Sequence, residues 1–219
     1  MKKSRIITIL LLSISMYIRA QEFTRSTYLV GHQLNSIEYI KQIDFSRFDY
    51  IYLMAAPDWK NADFGQPVEK IRQQLVSSHQ YIEDKNTPVV PYLIHEAHKY
   101  GTKVLLSFAG EGFREKVENP ETRHKFIRFM TAFIKKYDYD GIEIDWESDL
   151  SLPLHADFIK ELRIALHALE KETKKKLYLT TALHSWQKYS RPLADRLSSS
   201  VDWLNIMTYD MGGGIWGNV

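Results

Sequence analysis

No cysteine occurs among the 219 residues, which excludes disulfides and thiol chemistry. A chain without such staples depends on its hydrophobic core, and roughly 200 residues suffice for a large one. Nor is there an excess of charge: 29 Lys and Arg stand against 27 Asp and Glu, a net +2. Lys2, Lys3, Arg5 and Arg19 lie in the first twenty residues, so the rest carries 25 basic and 27 acidic groups. That balance offers a nucleic-acid partner nothing to bind. Internal repeats, low-complexity tracts and interdomain linkers are absent too, which points to one domain. The one long apolar run, Ile6 to Ile18, is broken by Thr8, Ser13, Ser15 and Tyr17 and is too short for a comfortable membrane span. Its basic head and the Ala20–Gln21 junction read as a signal peptide over residues 1–20, with an exported domain over 21–219, secreted or periplasmic. No cysteine follows the run to take a lipid. A zinc helix is missing as well. His95 and His98 are three apart, and Lys99 stands where an H-E-x-x-H motif needs its second histidine, so no metal or cofactor is expected.

What is present alternates. Thr27–His32 reads as a strand, Asn35–Gln42 as one or two helical turns, and Tyr50–Ala55 as a strand buried on both faces. Residues 58–87 form a polar, helix-containing insertion. Val89–Tyr100 is an amphipathic helix stopped at Gly101, and Lys103–Ala109 is the next strand. Asn119-Pro120 opens a helix, Asn as cap and Pro in its first turn. Its core stripe is Phe126, Phe129, Met130, Phe133, Ile134 and Tyr137. Pro153 precedes a second long helix with Phe158, Leu162, Ala165, Leu166 and Leu169 inward. The lysines at 171 and 174–176 should complement its C-terminal end. Leu177–Leu183 and Val201–Tyr209 are strands, with a short helix at Pro192–Leu197 between them. Such alternation implies a parallel sheet with helical crossovers. Periodicity alone allows either a barrel or a doubly wound open sheet.

Between the two long helices lies YDGIEIDWE, Tyr139 to Glu147. As a strand it puts Ile142, Ile144 and Trp146 on one face and Glu143, Asp145 and Glu147 on the other. Acids two apart on a strand are about 6.6 Å apart, near enough for their titrations to couple. If they are buried, at least one holds a proton near neutral pH, as a general acid must. The pattern fits equally an edge strand with a solvated acidic face.

The octet D-G-I-E-I-D-W-E resembles the D-x-x-D-x-D-x-E signature of glycoside hydrolase family 18, the chitinase-like enzymes. Asp140, Asp145 and Glu147 match, while Glu143 stands where that family usually has Asp. KVLLSFAG, Lys103–Gly110, is similar to the family's S-x-G-G strand, with Ala109 for the first Gly. LNIMTYD, Leu204–Asp210, matches the M-x-Y-D strand at Met207, Tyr209 and Asp210. The resemblance implies a TIM-type (β/α)8 barrel, incomplete here, with about six of eight strands present. The last strand's floor Trp has no counterpart. The edges of strands one and six would then lie open to pairing with another chain.

The resemblance also implies a chemistry, hydrolysis of β-1,4-linked N-acetylglucosamine polymers or oligomers such as chitin. The sugar's own acetamido oxygen attacks with retention, the substrate-assisted exception among glycosidases. Glu147 would be the general acid and then the base. Asp145 would orient the acetamido group, with Glu143 beneath it as proton-sharing partner. Tyr209 would donate to the acetamido carbonyl, with Asp210 and Met207 at the same substrate group. Trp59, Trp186 and Trp216 each follow a predicted strand and are candidate sugar platforms, though each fits a packing role equally. His32 and His184 read as hydrogen-bonded barrel residues. Two further activities fit the same resemblance: an endo-β-N-acetylglucosaminidase acting on N-glycans, and a carbohydrate-binding member without turnover.

Overall fold

The computed structural model describes residues 23–31, 34, 36–68, 70–71, 88–185 and 187–209. Six strands form one sheet in the order of the chain: β1 (Ser26–Val30), β2 (Tyr50–Met54), β3 (Lys103–Gly110), β4 (Gly141–Trp146), β5 (Tyr178–His184) and β6 (Trp203–Met207). Every neighbouring pair is parallel. Sequential order with every crossover on one side distinguishes the arc of a (β/α)8 barrel from a doubly wound sheet, whose order reverses. The strands fall within a residue or two of their expected ends, apart from His32, which lies outside the described residues. So does most of the 58–87 insertion.

The connecting helices are α1 (Ile37–Ile40), α2 (Val89–Lys99), α3 (Phe113–Val117), α4 (Pro120–Lys136), α5 (Leu152–Thr173) and α6 (Arg191–Ser198). Five residues after the left-handed Gly112 make α3, too short for periodicity to announce. At α4 the expected cap is in place. The Asn119 side chain accepts from the N–H of Glu121 at 2.8 Å and of Thr122 at 3.2 Å, satisfying donors that a helix start leaves unpaired. Phe126, Phe129, Met130, Phe133 and Ile134 are buried beneath it.

Alternation along each strand sorts the core into two faces. Outward, Ile51, Leu53, Val104, Leu106, Phe108, Ile142, Ile144 and Trp146 join the apolar cluster under the helices. Inward lie Tyr28, Tyr52, Ser107, Glu143, Asp145, Thr180 and Ala182, none of them in that cluster. Gly141 is a steric requirement, because a Cβ there would stand 2.1 Å from the Tyr178 carbonyl oxygen on β5.

The lysine cluster departs from expectation. Lys171 alone lies in the last turn of α5. Lys174 is the left-handed residue after it, which turns the next two side chains toward the sheet. Lys175 pairs with Asp138 at 2.8 Å and Asp140 at 3.1 Å, and Lys176 with Asp202 at 3.1 Å. Asp140, just ahead of β4, also meets His98 Nε2 at 2.7 Å and the Val104 N–H at 2.8 Å. Burial alone would raise this carboxyl, but the bonds from His98 and Val104 and the Lys175 charge outweigh it and hold it below the ordinary 3.8.

Two outcomes follow for stability. Gly141→Ala should lower the unfolding free energy by about 2–3 kcal/mol in urea titration, since backbone rather than a flexible side chain must yield. Asp140→Asn should remove about 3 kcal/mol at neutral pH. The parent should lose stability at this site only as pH falls below about 4, through the depressed value of the folded state. Unfolding midpoints of both chains between pH 2 and 7 check this.

Candidate active site

The acids of β4 stand in a graded environment. Glu143 is fully buried, Asp145 is 6% exposed, and Glu147, one residue past the strand, is at the surface. Two backbone bonds hold Glu147: its N–H donates to the Gly110 carbonyl at 3.2 Å, and its own carbonyl lies 3.1 Å from His184 Nε2. Below it, the Trp146 indole N–H closes onto the Ser148 carbonyl at 2.7 Å, while its ring stacks on Phe113 at 5.4 Å between centroids. Outer-face packing thus fixes the turn that presents Glu147.

Asp145 and Glu147 open into a cleft of about 440 Å³ whose walls include Tyr28, Tyr52, Met207 and Tyr209. Burial, then the charges of Glu147 and Glu143, then a hydrogen bond with Glu147 push the Asp145 carboxyl up to about 7. Asp145 therefore keeps its proton to near neutral pH, and the burial of Glu143 and Asp145 excludes the solvated-edge reading. Burial also raises the Glu143 carboxyl, against the bonds it accepts from Tyr28 and Asn205.

The partner of that proton differs from the expected one. Glu143 Oε1 accepts from the Tyr28 hydroxyl at 2.5 Å and from Asn205 Nδ2 at 2.7 Å. The hydrogen bond of Asp145 goes to Glu147 instead. With one methylene more than Asp, Glu143 reaches across the sheet to β1 and β6. Tyr28 and Asn205 escaped sequence reasoning. A polar residue inside the apolar run LNIM, in the same alternation as Met207 and Tyr209, was the available signal for Asn205.

Of the other expected residues, Tyr209 is 62% exposed at the mouth and Met207 nearly buried in the wall. Asp210, Trp186 and Trp216 lie outside the described residues. Trp59 is corrected: it is 3% exposed, with its ring 4.5 Å from Phe113 and 5.2 Å from Phe126. Pro57 and the turn after it fold the indole back onto the helices, so it has no free face for a sugar. Among the described residues no group of acids and histidines could hold a metal, and no helix is long and apolar enough to cross a membrane.

A buried carboxyl with a raised pKa beside an exposed one, at the C-terminal end of a barrel strand, is the kind of pair that acid–base chemistry uses. The sequence profile of "Glycosyl hydrolases family 18" matches residues 15–219, and the chain belongs to that family. It is 30% identical to chitinase A1 of Niallia circulans over 129 residues, 51% of this chain and 18% of that protein. Against the class V chitinase of Arabidopsis thaliana it is 30% identical over 128 residues, 53% of this chain and 34% of that one. Among solved structures, the family GH18 chitinase from Cycas revoluta, in a complex with allosamidin, superposes with a TM-score of 0.63 at 19% identity. That match covers 87% of this chain and 56% of the other. The chain thus spans about half the length of the solved relatives and a smaller share of the curated ones.

A carboxyl that binds its proton up to about 7 when folded, against 3.8 otherwise, makes the folded state the better proton binder between those values. Its stabilising contribution is complete below about pH 4 and is lost as pH rises through 7. Asp145→Asn should therefore be more stable than the parent at pH 8, by up to about 4 kcal/mol, with the difference gone at pH 4. Urea midpoints at the two pH values check it.

Proposed function

We propose that this site hydrolyses β-1,4-linked N-acetylglucosamine polymers or oligomers by substrate-assisted retention. The carrying observation is buried Asp145, its carboxyl pushed up to about 7, beside exposed Glu147 at the mouth of one cleft. Glu147 protonates the leaving glycosidic oxygen while the acetamido oxygen of the same sugar attacks the anomeric carbon. The Glu147 carboxylate then takes a proton from the water that opens the cyclic intermediate, so the enzyme ends as it began. Asp145 faces the acetamido N–H and stabilises the positive charge that develops on the ring. Tyr209, at the rim of the cleft, is the donor for the acetamido oxygen. Relatives described as chitinases, some solved with N-acetylglucosamine oligomers bound, support the substrate class. The basic head and apolar run over residues 1–20 support export, to the periplasm or beyond.

A chitin oligomer should be cleaved with retention at the new reducing end, read by NMR of the first product. Glu147→Gln should lower kcat by about 10²–10⁴-fold with little change in KM. Near-parental turnover by that variant would remove the assignment. Cleavage of an N-glycoprotein core instead of chitin oligomers would move the substrate to the N-glycan class.

A further inference from the structure

Asn205 stands on β6, two strands from β4, and still touches the deepest acid. The reason is Ala182, its register partner on the intervening β5. A methyl at that inward position leaves room for longer side chains on either side to meet above it. The amide orientation is set from both ends: the Tyr52 hydroxyl donates to Asn205 Oδ1 at 3.4 Å, leaving Nδ2 to donate to Glu143 Oε1 at 2.7 Å and to the Tyr28 oxygen at 3.3 Å. Tyr52 is itself held by the Trp203 indole N–H at 2.5 Å and by stacking on Tyr28 at 4.7 Å. Two donors from opposite edges of the sheet therefore converge on one oxygen of a fully buried carboxylate. An Asp at 143 would be shorter by one carbon–carbon bond, about 1.5 Å, and could not serve both.

We propose that Asn205 is a positioning residue for the acid pair: with Tyr28 it holds Glu143 turned away from Asp145, so that Asp145 shares its proton with Glu147 alone. Asn205 reaches Asp145 through Glu143. The role in catalysis rests on the hydrolytic reading above, while the positioning itself can be read without turnover. Other ionisable groups surround Asp145: Tyr28 on β1, Tyr52 on β2, Glu143 and Glu147 of the acidic stretch, and Tyr209 after β6, while His184 at the end of β5 meets the Glu147 carbonyl. Of these, Glu143, Tyr28 and Tyr52 bond the Asn205 amide; burial raises both tyrosines, so Glu143 is the one of the three whose charge can answer removal of the amide near neutral pH.

The test is the titration of the Asp145 carboxyl by NMR in the 219-residue chain labelled with ¹³C-aspartate, its signal assigned by loss in Asp145→Asn. In Asn205→Ala, Glu143 keeps the Tyr28 hydroxyl but loses its second donor and can turn toward Asp145, where a like charge at short range disfavours ionisation. The midpoint should rise by about one pH unit, a tenfold change in proton affinity. In a Glu143→Gln background the same exchange should move it by less than about a third of that, because the charge that mediates the effect is gone. Asn205→Ser is too short to reach Oε1 but satisfies its neighbours in part, and it carries the same expectation should Asn205→Ala fail to fold. An unmoved midpoint in the single variant, or an equal shift in both backgrounds, overturns the proposal. If the parent cleaves no N-acetylglucosamine oligomer while the titration behaves as described, the hydrolytic reading fails and the positioning role stands.

Discussion

A carboxylate shut away from water must be met by donors, and Glu143 finds its donors on strands that are not its neighbours. Tyr28 reaches it from β1 and Asn205 from β6, so one oxygen ties together the two ends of a six-stranded arc. Much of the inner face follows from this. Side chains between the partners must be small, as Ala182 is. The aromatic rings that carry or support the donors must be locked, as Tyr28 and Tyr52 are by stacking. Asp145, left without that partner, turns to Glu147 at the surface. An unpaired buried carboxylate would be expensive enough to undo the arrangement.

Along β4 the same chemical group is treated in opposite ways. Asp140, at the foot of the strand, is surrounded by His98, Lys175 and a backbone N–H and stays ionised as an anchor. Asp145, five residues on, is nearly as buried but faces other acids, and it keeps its proton to about 7. Environment sets the two roles, the first holding the barrel's foot together and the second poising the mouth for proton transfer. The outer face of the strand supplies the rigidity both need. Ile142, Ile144 and Trp146 lie in the apolar cluster with Phe113, Phe126 and Phe158, and the fixed Trp146 ring sets the turn that carries Glu147.

Much of this was legible in advance, for identifiable reasons. The acid alternation in β4, the Asn119 cap and the stripe of α4 are local patterns whose period matches one element, so the chain states them directly. The pairing of Glu143 was not legible, because Tyr28 and Asn205 are 115 and 62 residues away and nothing local selects them. Trp59 follows a predicted strand and was placed near the rim, yet a turn folded it into a cluster of phenylalanines. The lysines after α5 look like helix-end complements until Lys174 takes a left-handed turn and redirects them to Asp138, Asp140 and Asp202.

By itself the sequence determined the order of strands and helices, the face on which the acids lie, and the family whose motifs they match. These depend on spacing of three or four residues, or of two, which any short window contains. The tertiary structure alone decided which acid shares a proton with which, and which aromatic ring is wall and which is core. Those depend on distances across the sheet, set by register and by the size of side chains on the strands between, and they exist only once the strands have come together.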